Sequence, residues 1–521
     1  MLQKFSTFVK KHENIIAALL LATLPFIFCI IRTAIDGRFL SDVWAPGSGW
    51  NDEPFYFKQI EGMVKFGAPR GYWGFNESRA EVLSFAAWGP AIIFPYYLFG
   101  LIFGWNLATP YIFHILLLGV ALFCFAKAAD AGYLGVLKAY VVLLTFFPLA
   151  RYILSYMSEI LVISAIVFLL ALYKSEIKAH KTWKTVLSFV VLAWMIIVRP
   201  YFAILAPIPY LALYKNRKKT RFVAIPVAVG SLAIYAVMSK LFAAPYIGDI
   251  YTNWLSKVFT HGPRTVLKEI WGLFVYRITD LYFRMVNAVV NVSEEGAFFL
   301  AYILLTIVLL VNFIICLVRR KKAEENQQRA LLFGAMFVAQ TILFFAILIM
   351  YNFFAGFRHL LAFMVADALI LLYGKKESYI NGAVVAIVFA FIFIVKGYAI
   401  GVDPIAYKGE QSAKSSEIVS LGEKSVELSP GITWDNTVII VSDDVYTANE
   451  NGFAGLGVLY KMPTGFAVSY CEPDYVKNNI GNLKSGYLLA FPNSETDELA
   501  VSAGHRLIAT CSGYNIYKVV R

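Results

Sequence analysis

Apolar runs of about twenty residues recur along this chain, and they restrict its fold more than any other feature of the sequence. A run of that length crosses the hydrocarbon core of a bilayer as an α-helix, because each helical residue rises about 1.5 Å. Only 15% of the 521 residues are charged, which is well below the usual fraction in soluble domains. The sequence therefore predicts an all-α polytopic membrane bundle with about eleven spanning helices.

The first apolar run is not followed by a small-residue cleavage pattern, so we predict a retained helix rather than a signal peptide. The predicted spans are 14–32, 110–127, 134–150, 158–173, 185–198, 201–214, 222–242, 298–318, 330–349, 358–373 and 380–396. A further apolar run, 85–104, is long enough to cross but contains Pro90 and Pro95.

The distribution of basic residues decides whether the run 85–104 crosses the membrane. With the N-terminus inside and no crossing at 85–104, every dense basic cluster, such as 215–221 and 319–322, lies in the cytoplasm. We therefore predict that 85–104 is a broken, re-entrant or surface segment on the outer side. The same clusters account for the net charge of +12, so we do not infer nucleic-acid binding.

The prediction gives the chain two domains. Residues 1–396 form the membrane domain, and the polar tail, 397–521, forms a small extracytoplasmic α/β domain. Cys471 and Cys511 lie in this tail and could pair in an oxidising compartment, although no spacing rule requires it. A polar stretch, 407–428, is compatible with a helix, and strands are predicted at 437–441, 456–460, 465–470, 487–491, 506–510 and 515–520.

Three short outer turns each carry one arginine close to the membrane: Arg151, Arg199 and Arg358. Lysine dominates the predicted cytoplasmic loops, so these lone arginines oppose the charge rule for topology. A guanidinium group matches the oxygens of a phosphate group, whereas the competing interpretation is an arginine that reaches to lipid headgroups. The sequence leaves both interpretations open for each arginine.

The first outer loop carries adjacent carboxylates, Asp52 and Glu53, followed by Pro54 and Tyr56. Apolar residues then recur at helical spacing up to Phe66, which predicts an amphipathic helix on the membrane surface. An Asp at a helix start is commonly an N-cap, but one carboxylate would suffice for capping. We therefore treat this pair as a candidate active site.

These motifs resemble the GT-C superfamily of polytopic glycosyltransferases, which includes protein O-mannosyltransferases and lipid A aminoarabinose transferases. The resemblance begins with Asp52-Glu53-x-x-Tyr56 after the first span and continues in chain order over most of the membrane region. Family members usually carry Asp where this chain has Glu159. The later matching segments are Trp88-Gly-Pro90, Phe94-Pro95-Tyr96-Tyr97, Leu101-Ile-Phe-Gly104, Phe147-Pro148 with Arg151 and Glu159, and Phe357-Arg358-His359-Leu360.

The resemblance implies an inverting transfer of a sugar from a polyprenyl-phosphate donor to an acceptor outside the cell membrane. It implies that Asp52 is the general base, and that Glu53 either tunes this base or holds a divalent cation, Mg or Mn, together with Asp52. The acceptor would be a surface glycan, teichoic acid, glycolipid or protein. The implied substrate-binding residues are Tyr56, Arg151, Glu159, Arg199, Arg358 and His359.

Three other functions remain open at this point. A transporter or flippase for a lipid-linked sugar needs polar groups deep in the bilayer, for which Asp367 and His114 are the main candidates. A surface-polysaccharide polymerase or ligase would use similar arginines and a similar outer loop. A membrane receptor leaves the paired carboxylates unexplained.

Overall fold

The structure is a computed structural model. It describes residues 12–46, 52–67, 73–77, 89–213, 220–242, 260–290, 294–320, 324–350, 353–372, 377–394, 405–408, 437–441, 467–511 and 514–521. Within these ranges every predicted span coincides with a helix or a helix pair. The predicted fold class, a polytopic helical bundle with a small C-terminal α/β domain, is confirmed.

The helices of the membrane domain follow the apolar runs. They are α1 Glu13–Ala22, α2 Leu24–Ile35, α3 Asp52–Phe66, α4 Pro90–Phe103, α5 Thr109–Ala129, α6 Tyr133–Leu144, α7 Phe147–Ile153, α8 Glu159–Lys178, α9 Thr182–Val198, α10 Pro207–Ala212, α11 Ala224–Phe242, α12 Pro263–Val290, α13 Glu294–Val318, α14 Glu324–Met350, α15 Phe353–Leu372 and α16 Glu377–Ile394. A 3₁₀ helix, Pro200–Leu205, precedes α10.

Length and apolarity qualify six helical segments of the described residues as membrane spans. They are Glu13–Ile35, Thr109–Ala129, Glu159–Lys178, Arg221–Phe242, Ala297–Val318 and Asn326–Leu348. Helices α6 and α7 qualify together as a seventh, although they meet at an angle of 83°. Pro148 in the first turn of α7 fits this bend, because a helix start needs no N–H from that residue.

The first outer loop folds onto the end of the bundle. Helix α3 presents the predicted apolar face, but Tyr56 and Ile60 are buried in the protein core rather than turned to lipid. Helix α4 packs against α3 at Gly100, where an added Cβ would lie 3.0 Å from Val64 Cγ2. Trp105 follows α4 and donates its indole N–H to the Phe57 carbonyl over 3.2 Å.

The C-terminal domain is built on a six-stranded sheet with the order β2-β5-β4-β6-β8-β7. Its parallel part contains β2, β4, β5 and β6, whereas β8 and β7 are antiparallel. Helices α17 Pro473–Asn479 and α18 Glu495–Ser502 connect strands of this sheet. The strands are β2 Trp73–Phe75, β4 Thr437–Val441, β5 Ala467–Cys471, β6 Tyr487–Ala490, β7 Arg506–Cys511 and β8 Tyr514–Lys518.

Five of the six predicted tail strands are present, and the sixth, 456–460, lies outside the described residues, as does most of the stretch 407–428. The sequence did not indicate that the edge strand β2 comes from the first outer loop. A second pairing joins the same loop to the tail, since β1 Val43–Pro46 lies antiparallel to β3 Ile405–Tyr407. The first loop and the tail therefore form one structural unit.

The pairing of Cys471 with Cys511 is not formed. Three strands separate β5 from β7 in the sheet, which puts the two positions about 19 Å apart at the usual strand spacing. Cys471 is a free, buried thiol, and burial raises its pKa to about 12. The thiol packs in the core of the domain beside Ile439 and Leu488.

Candidate active site

The three lone arginines meet at one end of the bundle. Arg151 ends α7, Arg199 follows α9, and Arg358 lies in the first half of α15. Their exposed fractions are only 3%, 2% and 8%, respectively. A guanidinium group that reaches out to lipid headgroups would be exposed, so the burial of all three favours a binding role over snorkelling.

Glu159 connects two of these arginines. Its Oε1 accepts a hydrogen bond of 2.6 Å from Arg199 Nη2 and lies 4.0 Å from Arg358 Nε. Glu159 opens α8, where the partial positive charge of a helix N-terminus also stabilises a carboxylate. Arg199 Nη2 donates a further bond to Ser158 Oγ over 3.2 Å. The carboxylate therefore orients the Arg199 guanidinium and places a negative charge beside that of Arg358.

His359 lies on the other side of the Arg199 guanidinium. Its Nδ1 is 3.3 Å from Arg199 Nη1 and 2.9 Å from the Tyr201 hydroxyl. An arginine nitrogen can only donate, so Nδ1 is the acceptor and the proton of the neutral ring lies on Nε2. In this arrangement His359 presents an N–H donor from Nε2 rather than a metal-binding lone pair.

The first-loop motif reaches the same end of the bundle. Glu53 is fully buried, and its Oε1 lies 3.5 Å from Arg151 Nη1. Tyr56 lies three residues further along α3, on the same helix face as Glu53, and is 3% exposed. Asp52 is the first residue of α3, and its side chain lies outside the described part of the chain.

Tyr96 and His114 lie next to the residues that lead into Glu159. The Tyr96 hydroxyl lies 2.5 Å from His114 Nε2, and His114 Nδ1 lies 3.0 Å from the Ile153 carbonyl oxygen, so Tyr96 donates to the ring. Burial raises the pKa of Tyr96 well above its ordinary value, and the charge of Glu159 raises it further. The Tyr96 hydroxyl also lies 3.4 Å from the carbonyl oxygen of Met157, two residues before Glu159, so it borders the Glu159 side of the pocket.

The sequence prediction missed several groups of this pocket. Ser158 and Tyr201 each form a hydrogen bond with Arg199. In the sequence only their positions indicated them, because Ser158 precedes Glu159 and Tyr201 follows Arg199-Pro200. His114 was considered as part of a transport path, yet it lies against Tyr96. Among the described residues no group of three or more His, Cys, Asp or Glu side chains is arranged for a metal ion.

A scan of protein-family models and a search of characterised proteins found no match to this chain. Among solved structures, the chain is similar to ArnT from Cupriavidus metallidurans over 96% of its own length and 97% of the ArnT chain. The identity is 12% with a TM-score of 0.41 for the form bound to undecaprenyl phosphate, and 9% with 0.43 for the apo state.

The chain is also similar to the apo form of the Archaeoglobus fulgidus oligosaccharyltransferase. That alignment covers 93% of this chain and 70% of the other, with 12% identity and a TM-score of 0.46.

Proposed function

We propose that this chain is a membrane glycosyltransferase that moves a sugar from a polyprenyl-phosphate donor to an acceptor at the outer face of the membrane. One observation supports the proposal most: three buried arginines from separate turns converge with two buried glutamates beside the first-loop helix. Arg199 and Arg358 both lie beside the single carboxylate of Glu159, and this local excess of positive charge suits a phosphate group.

In the proposed reaction each part of the pocket has its own role. Asp52 removes the proton from an acceptor hydroxyl as that oxygen attacks the anomeric carbon of the donor sugar. The new bond joins the acceptor oxygen to this carbon, while the bond from the carbon to the phosphate oxygen breaks. The polyprenyl phosphate leaves with the electron pair, and attack from the opposite side inverts the anomeric centre.

Arg199, Arg358 and Arg151 would stabilise the negative charge that grows on the leaving phosphate. Glu159 holds Arg199 in place by a hydrogen bond before the reaction and lies beside Arg358, so little reorganisation of Arg199 accompanies charge development. Tyr56 would orient the donor phosphate. The acceptor, which could be a surface glycan, teichoic acid, glycolipid or protein, approaches from the outer loop.

A divalent cation at Asp52 and Glu53 stays a prediction. The partner that the structure shows for Glu53 is the Arg151 cation, which favours an ion pair rather than a metal at this carboxylate. None of the steps above uses a metal. Chelation followed by addition of Mg²⁺ or Mn²⁺ tests the requirement directly.

The transport alternative receives no support from its two candidate residues. The Asp367 carboxylate accepts a hydrogen bond of 2.6 Å from Gln340, and Tyr302 in turn donates to the Gln340 carbonyl. His114 is bonded within the pocket described above. Both residues thus have local partners that hold neighbouring helices together.

The substitution Asp52→Asn tests the assignment of the general base. Asn caps a helix about as well as Asp, so the fold should persist. Transfer should fall by roughly 10²–10⁴-fold, because an amide cannot accept the proton. Membranes carrying the variant would be assayed with a panel of radiolabelled polyprenyl-phosphate sugars.

Glu61→Gln on the same helix provides the matched control. It makes the same change of acid to amide two turns away, at a partly exposed pair with Lys58, and should retain activity. Full transfer by Asp52→Asn would remove this residue from the mechanism.

A further inference from the structure

The turn between α7 and α8 separates two charged residues of the candidate active site. Arg151 lies in the last turn of α7, Glu159 is the first residue of α8, and residues 154–158 connect the two helices. Every residue of this turn is at most 2% exposed. Because the two charged residues flank the turn, the contacts that hold it in place also set the geometry of the pocket.

His114 of α5 and Tyr96 of α4 contact both sides of this turn. The Nδ1 of His114 lies 3.0 Å from the carbonyl oxygen of Ile153, the last residue of α7, and the last carbonyl groups of a helix lack an intrahelical donor. A carbonyl can only accept, so Nδ1–H donates to it, and Nε2 accepts from the Tyr96 hydroxyl over 2.5 Å. The same hydroxyl lies 3.4 Å from the carbonyl oxygen of Met157. One hydrogen-bonded pair therefore reaches the beginning and the end of the turn.

This chain of hydrogen bonds does not form a proton path. It ends on backbone carbonyl oxygens, which accept hydrogen bonds but neither take up nor release a proton at neutral pH. His114 is fully buried and Tyr96 is 2% exposed, so solvent does not compete for these bonds. Both nitrogen atoms of the imidazole are bonded, and a satisfied buried network holds rigid the groups that it joins.

A second contact joins the turn to the helix that carries Glu53. The Tyr156 ring stacks on Phe57 of α3, with 5.1 Å between the ring centres and 21° between the ring planes. The Tyr156 hydroxyl donates to the Leu107 carbonyl over 2.7 Å. The turn thus has neighbours in α3, α4 and α5, and its position bears on both buried ion pairs of the pocket.

We propose that Tyr96 and His114 are positioning residues for sugar transfer. They hold the turn so that Arg151, and Arg199 through its bond to Glu159, face the leaving phosphate. The two residues act through the turn and not on the substrate. This inference rests on the proposed function, because the charge that the two guanidinium groups stabilise is that of the leaving phosphate.

The variants Tyr96→Phe and His114→Phe test the proposal in the full chain. Tyr96→Phe removes only the hydroxyl and keeps the ring contacts with Phe113 and Trp105, whereas His114→Phe removes both bonds of the imidazole. The kcat for transfer from a polyprenyl-phosphate sugar, per folded molecule, should fall roughly 10–10²-fold, as expected when a reacting group is displaced by about 1 Å. The KM for the donor should change less, because the negative charge on the leaving oxygen grows only in the transition state.

Tyr302→Phe is the matched control for the loss of a buried hydroxyl. Tyr302 lies in α13, is 1% exposed, and donates to the Gln340 carbonyl over 3.1 Å. Its substitution should lower the melting temperature about as much as Tyr96→Phe does, but kcat should stay at the wild-type value. Equal losses of kcat in the two tyrosine variants would reduce the effect to general stability and overturn the proposal. Wild-type kcat in both Tyr96→Phe and His114→Phe would overturn it too.

Hydrogen exchange of the turn distinguishes a failure of this proposal from a failure of the proposed function. In both test variants the backbone amides of residues 154–158 should exchange faster than in the wild type, whereas Tyr302→Phe should leave them unchanged. A lower kcat without faster exchange would mean that the pair does not act through the turn, and faster exchange with wild-type kcat would mean that transfer does not need a fixed turn. Either result overturns the proposal. If the wild-type chain transfers no sugar from any polyprenyl-phosphate donor, the proposed function fails, and exchange alone still decides whether the pair holds the turn.

Discussion

At the scale of single residues, burial distinguishes the two interpretations of the outer arginines, since all three are at most 8% exposed. The sequence located all three by their position against the charge rule, and it also suggested Glu159, Glu53 and His359 as neighbours. It could not predict which arginine faces which acid, because Arg199 and Glu159 are forty residues apart and meet only when α8 and α9 pack. Tyr201 escaped prediction since a tyrosine in an apolar run is usually a core residue.

A double-mutant cycle on Glu159 and Arg199 measures their coupling. Each single change, Glu159→Gln or Arg199→Gln, leaves a buried charge with fewer partners and should cost about 3–5 kcal/mol of stability. The double variant should cost less than the sum, by about 0.5–3 kcal/mol. Melting temperatures of the purified full chain in one detergent give the four values.

The pair Lys477–Glu495 is a suitable control for this cycle. It has the same separation of 2.6 Å between its charged atoms, but its side chains are 56% and 65% exposed. Solvent screens such a pair, so the stability losses caused by its two single substitutions should be almost additive in the double variant. Additive losses at Glu159 and Arg199 as well would mean that the buried contact does not organise the pocket.

At the scale of elements, the helix that carries the carboxylates is held from both sides by the tail. Strand β1 precedes α3 and pairs with β3, while β2 follows α3 and pairs with β5. The helix itself was predictable from its spacing of apolar residues. Strand β2 could not be predicted, because its three residues, Trp73 to Phe75, are too few to show an alternation of polar and apolar side chains. Its partner strand is also almost four hundred residues away in the chain.

Glu77 fastens β2 to the C-terminal sheet and provides a test of this support. Its buried carboxylate accepts bonds from the backbone N–H groups of Ser485 at 2.6 Å and Lys484 at 3.2 Å, and from the Tyr475 hydroxyl at 3.1 Å. Glu77→Ala leaves these donors unsatisfied, at a cost of about 1–3 kcal/mol for each buried group. Hydrogen exchange should then rise in β2 and α3, and transfer should fall.

Lys477→Gln serves as the comparison, because it alters an exposed ion pair of the same domain and should leave exchange in α3 unchanged. If Glu77→Ala accelerates exchange in the sheet alone, with α3 and transfer unaffected, the tail does not position the helix. The tail would then be an appended domain, as the sequence boundary at residue 397 suggested.

At the scale of the whole molecule, strand pairing determines whether the number of membrane crossings between the first loop and the tail is even or odd. Strands β2 and β3 belong to one unit, so the chain between Phe75 and Ile405 crosses an even number of times. The ten predicted spans in this interval satisfy the condition. Helix α4 has 14 residues, or about 21 Å, and an additional crossing there would make the number odd. The structure thus favours the surface assignment that the charge distribution suggested.

Cysteine labelling of the full chain tests this topology after replacement of the five native cysteines. A cysteine at Ser41, just before β1, and one at Glu495, in α18, should react with an impermeant maleimide from the same side of the membrane, since both positions are exposed. A cysteine at Lys181 should react only from the other side. We expect Ser41 and Glu495 to be extracellular, because the lysine-rich turns then lie in the cytoplasm. Reaction of Ser41 and Glu495 from opposite sides would contradict both strand pairings, and Glu53 could then not share a pocket with Arg358.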